Sequence, residues 1–233
     1  MSLLATLRSD PLLWVTATLL VFALFDRISR RAGRHPLLHP VLWSVPVLAA
    51  LLWATGTRYR DYAAATDMMT FLLGPCTVAL AVPVWRNWPL VRSRALPVLA
   101  ALVAGSVTAI LCAVGTAWAL GARPEIIASV APRAATTPVA MAVAKGIGGI
   151  ASLSAVAVLV SGIVGAMVVT PLFDRLGLRD LAARGFAAGI TAHGLGTSRA
   201  FQVSETGGAF AGMAMALNAA MTAVLLSLAA LFL

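Results

Sequence analysis

The chain has 233 residues, 61% of them hydrophobic and 11% charged, with a mean hydropathy of +0.94, whereas a soluble domain carries about 25% charged residues. That leaves too little polar surface to face water and excludes a water-soluble globular domain. The net charge of +9 comes from sixteen Arg and one Lys against eight acids. Those arginines stand in short connectors beside apolar stretches, where they set membrane topology rather than bind nucleic acid.

Uncharged stretches run over 35–57, 68–85, 95–122, 146–173 and 206–233, several longer than the roughly 20 residues that cross a bilayer core. They lack the alternation of a barrel strand, so each must satisfy its backbone as a helix. The reading is an all-α, polytopic integral membrane protein with broken or re-entrant helices.

In chain order, a first helix over 11–25 has no basic region before it and no small-residue cleavage site after Phe25, which makes it a retained helix rather than a signal peptide. Positions 26–34 carry four arginines and mark the cytoplasmic side. A second helix over 36–56 contains Pro40 and Pro46, and the mixed connector 57–67 is read as interfacial. The next stretch, 68–85, is interrupted by Gly74-Pro75, where proline removes a donor and disfavours helix before it. A broken helix and a re-entrant hairpin fit that break equally. A second basic connector, 86–94, leads into a long span over 95–121 and a polar stretch over 122–135.

Two ordered matches point to an internal repeat: 78–82 resembles 139–143, and Leu102-Val-Ala-Gly-Ser-Val-Thr-Ala-Ile110 resembles Leu159-Val-Ser-Gly-Ile-Val-Gly-Ala-Met167. Transporter repeats are commonly this weak, and their sites lie between the halves. Charge bias leaves open whether the halves are inverted. Taken as a single transmembrane domain, the chain divides into N-terminal helices (1–60), two repeat-like halves (61–121 and 122–175) and C-terminal helices (176–233). Cys76 and Cys112 lack metal-ligand spacing and are read as packing residues.

Three places could carry chemistry. In Pro132-Arg-Ala-Ala-Thr-Thr-Pro138, two prolines bracket a turn and Pro138 suits the first position of a new helix. Thr136 and Thr137 then stand at a helix N-terminus, whose unpaired N–H groups suit a small anion, with Arg133 supplying the full charge. An ordinary helix cap beside a loop arginine explains the same residues; the parallel break at Gly74-Pro75, followed by Thr77, favours a site, because paired broken helices point to transport. In Gly189-Ile-Thr-Ala-His-Gly-Leu-Gly-Thr197, His193 stands beside Gly194 and Gly196 in a 14-residue stretch without charge. It is either neutral and packed on backbone carbonyls, or engaged in proton coupling or substrate contact. Arg199 follows and can pair with Glu205 or join the site. Gly185/Gly189 and Gly208/Gly212 have the spacing of close helix packing. No nucleophile, acid and base stand together, and no metal or cofactor pattern is present, so no enzyme, cofactor or metal is expected.

The strings Leu72-Leu-Gly-Pro-Cys-Thr-Val-Ala-Leu-Ala-Val-Pro83, Thr136-Thr-Pro-Val-Ala-Met141, Gly148-Gly-Ile150, Ala192-His-Gly-Leu-Gly-Thr197 and Gly208-Ala-Phe210 together resemble the LrgB/CidB family, in order and over about residues 60–230. The resemblance implies a bacterial inner-membrane protein, often found with a smaller LrgA/CidA-type membrane partner. The family is described as antiholin-like or murein-hydrolase-regulating, and its plant relatives resemble plastid glycolate/glycerate translocators; bacterial pairs are linked to pyruvate movement. Where the family has Pro-Lys-Ser, this chain has Pro132-Arg133-Ala134, which keeps the cation and loses a hydroxyl.

The expected function is transport of a small monocarboxylate (pyruvate, glycolate or glycerate), with Arg133, Thr136, Thr137, His193, Thr197, Thr77 and Arg199 as binding residues. Gly74, Pro75, Pro132, Pro138, Gly194 and Gly196 are the expected helix breaks. A homo-oligomer in contact with membrane lipid is expected, and the alternative role is an antiholin-like regulator acting with a holin-like partner.

Overall fold

The computed structural model of the chain describes residues 10–79 and 81–231, apart from the side chains at 36, 70, 73, 74, 76 and 77. Among them every regular element is helical. Four helices are long and apolar enough to cross a membrane, and a fifth crossing is counted if one bent pair forms a single span. The chain is thus an all-α, multi-pass membrane protein. It forms two compact units, Met1–Ala79 and Leu80–Leu233.

In the first unit, α1 (Pro11–Arg31) starts at an Asp10 cap whose carboxylate accepts from the Leu12 N–H, with Pro11 in the first turn. It runs six residues past the expected end at Phe25. The basic connector there is largely helical, with Asp26 pairing to Arg30 one turn on and to Arg34. A 3-10 turn (Pro36–Leu38) leads into α2 (Pro40–Thr55), closed by Gly56 in the left-handed region. The connector after it is also helical, as α3 (Tyr59–Ala65), bent 114° from α2. Tyr62 anchors α3 on α1 through Thr18 at 3.0 Å and an edge-to-face contact with Trp14.

α4 (Asp67–Ala79) runs straight through Gly74-Pro75, so these two residues do not break the helix as expected. Proline removes one backbone donor, and helices in membranes tolerate that because the freed carbonyl finds other partners. The side chains of Gly74, Cys76 and Thr77 lie outside the described residues.

The second unit holds α5 (Ala81–Arg86), α6 (Trp88–Ser93), α7 (Ala95–Ala119), α8 (Pro124–Val130), α9 (Thr137–Gly146), α10 (Ala151–Arg175), α11 (Leu181–Val203) and α12 (Glu205–Ala229). Its packing is inside out relative to a soluble protein. Leu96, Leu99 and Leu111 on α7 and Val156, Val160 and Val164 on α10 face outward, while Ala140, Ala144, Ala211 and Ala214 are fully buried. With lipid as solvent there is no gain in hiding leucine, and small residues let helices approach closely. The Gly185/Gly189 pair does so: a Cβ at either would collide with the α12 backbone at Gly207 or Ala211.

Two segments turn back instead of crossing. α8 and α9 form a hairpin: after α9 the chain returns to α8, where the Ile150 N–H donates to Ser129 Oγ at 2.7 Å. A Cβ on Gly149 would stand 2.7 Å from the Ser129 nitrogen. α11 is the second hairpin. Its helical path breaks at His193, and residues 194–203 fold back on 181–192 so closely that a Cβ on Gly196 would strike the Ala188 carbonyl. Residue 207 accordingly lies near Leu181 and Ala200, and α12 then runs parallel to the first half of α11.

The first hairpin is rooted beside the start of α10 and the second beside its end, where Arg184 pairs with Asp174 at 2.7 Å. The two therefore enter from opposite ends. The matched segments 102–110 and 159–167 lie in α7 and α10, two 25-residue helices each followed by a hairpin.

Candidate functional site

The hairpin tips meet half-way along the long helices. At the first tip, Pro132 follows α8 within a turn over 131–135. Thr136 takes an extended cap conformation (φ −66°, ψ 149°), and Pro138 occupies the first turn of α9. At the second tip, His193 has φ 39° and ψ −121°, a conformation natural to glycine that costs another residue about 1–3 kcal/mol. The break thus falls on the histidine and not on Gly194 or Gly196. Gly196 instead supplies the close approach that lets the helix fold back.

A turned-back helix leaves carbonyls without intrahelical partners, which in an apolar interior must be satisfied elsewhere. One bond joins the tips directly, and the others come from residues midway along the surrounding helices. Asn218 of α12 is completely buried; its Nδ2 donates to Ala134 O at 2.6 Å and Ile190 O at 3.3 Å, and its Oδ1 accepts from Ser106 of α7 at 2.7 Å. His193 Nε2 stands 3.2 Å from Arg133 O; a carbonyl only accepts, so Nε2 carries the proton. The imidazole packs against α10, where a Cβ at Gly162 would stand 2.9 Å from its Cε1. Arg133 Nη1 donates to Ser161 Oγ at 3.0 Å, and that hydroxyl donates on to Thr191 O at 3.4 Å.

Arg133 and Thr191 also line a cavity of ≈ 590 Å³ between α7 and the first half of α11. Its other end lies at Arg94, whose guanidinium is 2.6 Å from Asp180. Asp180 caps α11, accepting from Ala182 and Ala183. The Ala183 N–H, and after it Arg94, hold its carboxyl below the usual carboxylate range. Among the described residues Arg133 has no acidic partner.

The structure thus joins Arg133 and His193 at one place, but His193 holds the hairpin tip and does not line the cavity. Thr136 caps α9 without a side-chain bond, Thr137 is exposed on α9, and neither lines the cavity. Thr197 is buried against Met215, 3.9 Å from its sulfur. Arg199 turns to Thr170 and Gln202, and Glu205 pairs with Arg86. Cys112, expected to be a packing residue, is an exposed thiol on the cavity wall. Sequence reasoning missed Ser106, Ser161 and Asn218. A signal was available for Asn218: it is one of two asparagines in the chain, set in an uncharged span, where a polar side chain needs a partner.

These features define a multi-pass helical membrane protein whose two opposed re-entrant hairpins meet in a polar layer midway along the long helices. The chain belongs to the LrgB-like family, whose model matches residues 18–232. It is 32% identical over 209 residues to the uncharacterized protein YxaC of Bacillus subtilis (strain 168), covering 89% of this chain and 88% of that one. It is 33% identical over 183 residues to the uncharacterized protein YwbG of the same strain, covering 78% and 81%. An uncharacterized protein of Haemophilus influenzae (strain ATCC 51907 / DSM 11121 / KW20 / Rd) is 30% identical over 213 residues, covering 91% and 92%. No solved structure matches the chain.

Proposed function

We propose that this chain carries small monocarboxylates, of the pyruvate, glycolate or glycerate class, across the bacterial inner membrane, without enzymatic chemistry or a cofactor. The carrying observation is Arg133: a guanidinium with no acidic partner among the described residues, held at a hairpin tip midway along the long helices and facing a cavity. A charge in such a place is costly and marks a substrate path by default. Guanidinium is also the group best matched to a carboxylate. Opposed re-entrant elements around one midpoint add support, since carriers built from inverted repeats bind substrate there. In this reading the end of the second unit bearing Arg86, Arg92, Arg94, Arg175, Arg179 and Arg184 faces the cytoplasm, and the chain works as a homo-oligomer, alone or with a small LrgA/CidA-type partner.

The test is uptake of radiolabelled pyruvate, glycolate and glycerate into proteoliposomes holding the full chain, with and without that partner. Saturable uptake of at least one acid is expected, falling tenfold or more in Arg133→Gln. Absence of saturable uptake by folded protein in both preparations overturns the proposal and leaves the antiholin-like regulator as the working role.

A further inference from the structure

The cavity that Arg133 faces is elongated and almost without polar groups. On α7 it is lined from Arg94 to Cys112, a rise of roughly 27 Å at 1.5 Å per residue. Among its described lining residues only Arg94, Thr108, Cys112, Arg133 and Thr191 bear a polar side-chain atom. Three of these are engaged: Arg94 by Asp180 at 2.6 Å, the Thr191 hydroxyl by Ala187 O at 2.8 Å, and one Arg133 nitrogen by Ser161 at 3.0 Å. The rest of the wall is apolar, with Pro97, Val98, Ala104, Phe186, Ile190 and Phe210 among its residues, and its remaining polar groups are Thr108, Cys112 and Arg133. Pyruvate or glycolate bound to Arg133 would leave most of ≈ 590 Å³ lined mainly by hydrocarbon. Water has few partners along such walls.

We propose that the substrate class extends to monocarboxylates with a hydrocarbon tail of several methylenes, the carboxylate on Arg133 and the tail along α7 towards the Arg94–Asp180 pair. The inference rests on the reading of Arg133 as the carboxylate partner and adds the tail. Charge complementarity selects this occupant over a neutral lipid chain, because Arg133 has no acidic partner among the described residues while Arg94 is already neutralised by Asp180. Each methylene moved from water into the cavity strengthens binding about fourfold at full burial.

The experiment measures inhibition of labelled pyruvate uptake by acetate, butyrate, hexanoate and octanoate in the proteoliposomes above, and in parallel the binding of labelled octanoate to the full chain in detergent. Inhibition is expected to rise about two- to fourfold per methylene, and octanoate binding to be lost in Arg133→Gln. Ala104→Phe, which narrows the cavity and keeps Arg133, should lower the ratio of octanoate to acetate inhibition at least tenfold. Pyruvate uptake that depends on Arg133 but shows no chain-length trend overturns this inference and leaves the transport reading standing. If no acid is taken up, transport fails, and Arg133-dependent octanoate binding still supports the cavity's specificity while its absence overturns it. Methyl octanoate competing as well as octanoate marks the cavity as a lipid groove and also overturns the inference.

Discussion

Replacing Asn218 with leucine keeps the bulk of the side chain and removes its amide. Three buried groups then lose a partner: Ala134 O, Ile190 O and Ser106 Oγ. Hydrogen bonds between helices in membranes average about 0.6 kcal/mol, with about 1.7 as the largest measured, so three bonds span about 2–5 kcal/mol. The Ser106 hydroxyl can rotate towards the carbonyl one turn back on α7. The two carbonyls at the tips have no such recourse, and an orphaned buried carbonyl costs about 1–3 kcal/mol. The expected loss is therefore about 2–4 kcal/mol for Asn218→Leu and about 1 or less for Ser106→Ala.

Asn218→Asp separates this account from a packing effect. It is nearly isosteric and keeps the bond to Ser106, but sets a carboxylate oxygen where the amide nitrogen stood, 2.6 Å from Ala134 O. The residue must then stay protonated in the interior or repel two carbonyls, so it should be less stable than Asn218→Leu. SDS titration of purified protein, followed by circular dichroism, gives the unfolding free energies. The reasoning is refuted if Asn218→Leu lies within about 0.5 kcal/mol of wild type, the range of an ordinary surface substitution, or if the aspartate variant is the more stable of the two.

Other substitutions test the tips from different sides. His193→Gly should be more stable than His193→Ala by about 1–2 kcal/mol, since glycine relieves the positive φ that alanine retains; equal melting temperatures contradict the strain at that position. Gly196→Ala, which meets the Ala188 carbonyl, should prevent the fold-back of α11 and abolish monodisperse elution from a sizing column, whereas Gly115→Ala, with open space around it, should elute normally. Asp180→Ala should cost about 1 kcal/mol as a lost helix cap. Because the native Asp180 carboxyl titrates below its ordinary value of 3.8, its contribution is present above that pH and disappears as pH falls through the lowered native value. A stability difference from Asp180→Ala that survives unchanged at pH 2 in acid-tolerant detergent contradicts the assignment.

Much of this architecture is legible in the sequence. Uncharged stretches gave the long helices because charge is excluded from lipid, and Thr136-Thr137-Pro138 marked a helix start because proline at the first turn forfeits no bond. The matched segments 102–110 and 159–167 fall in two 25-residue helices. The opposite entry of the two hairpins stayed out of reach of charge counting, because the hairpins are short and carry few charges to weigh. Gly74-Pro75 misled for the opposite reason: proline in a helix removes a single donor, and nothing local says whether a neighbour takes up the freed carbonyl. The second hairpin has no proline at its tip. Its signal is Gly196, whose missing side chain matters only once the chain has turned back, and His193, whose strain no propensity predicts. The polar layer was hidden because Ser106, Ser161 and Asn218 are far apart in sequence and become partners only when the helices align at mid-length.

The two hairpins stabilise each other in a way that constrains how they can move. The tip of the first presents carbonyls at 133 and 134, which receive His193 and Asn218; the second frees carbonyls at 190 and 191, which receive Asn218 and Ser161. Ser161 in turn is donated to by Arg133. Pulling one tip away alone would orphan groups on both, each at about 1–3 kcal/mol. Displacing the two tips together past α10 and α12 would keep the bond between His193 and Arg133 O and give up those to Ser161 and Asn218. In the transport reading proposed above, an anion at Arg133 draws on the same guanidinium that donates to Ser161, and its binding is coupled through that hydroxyl to Thr191 O on the second hairpin.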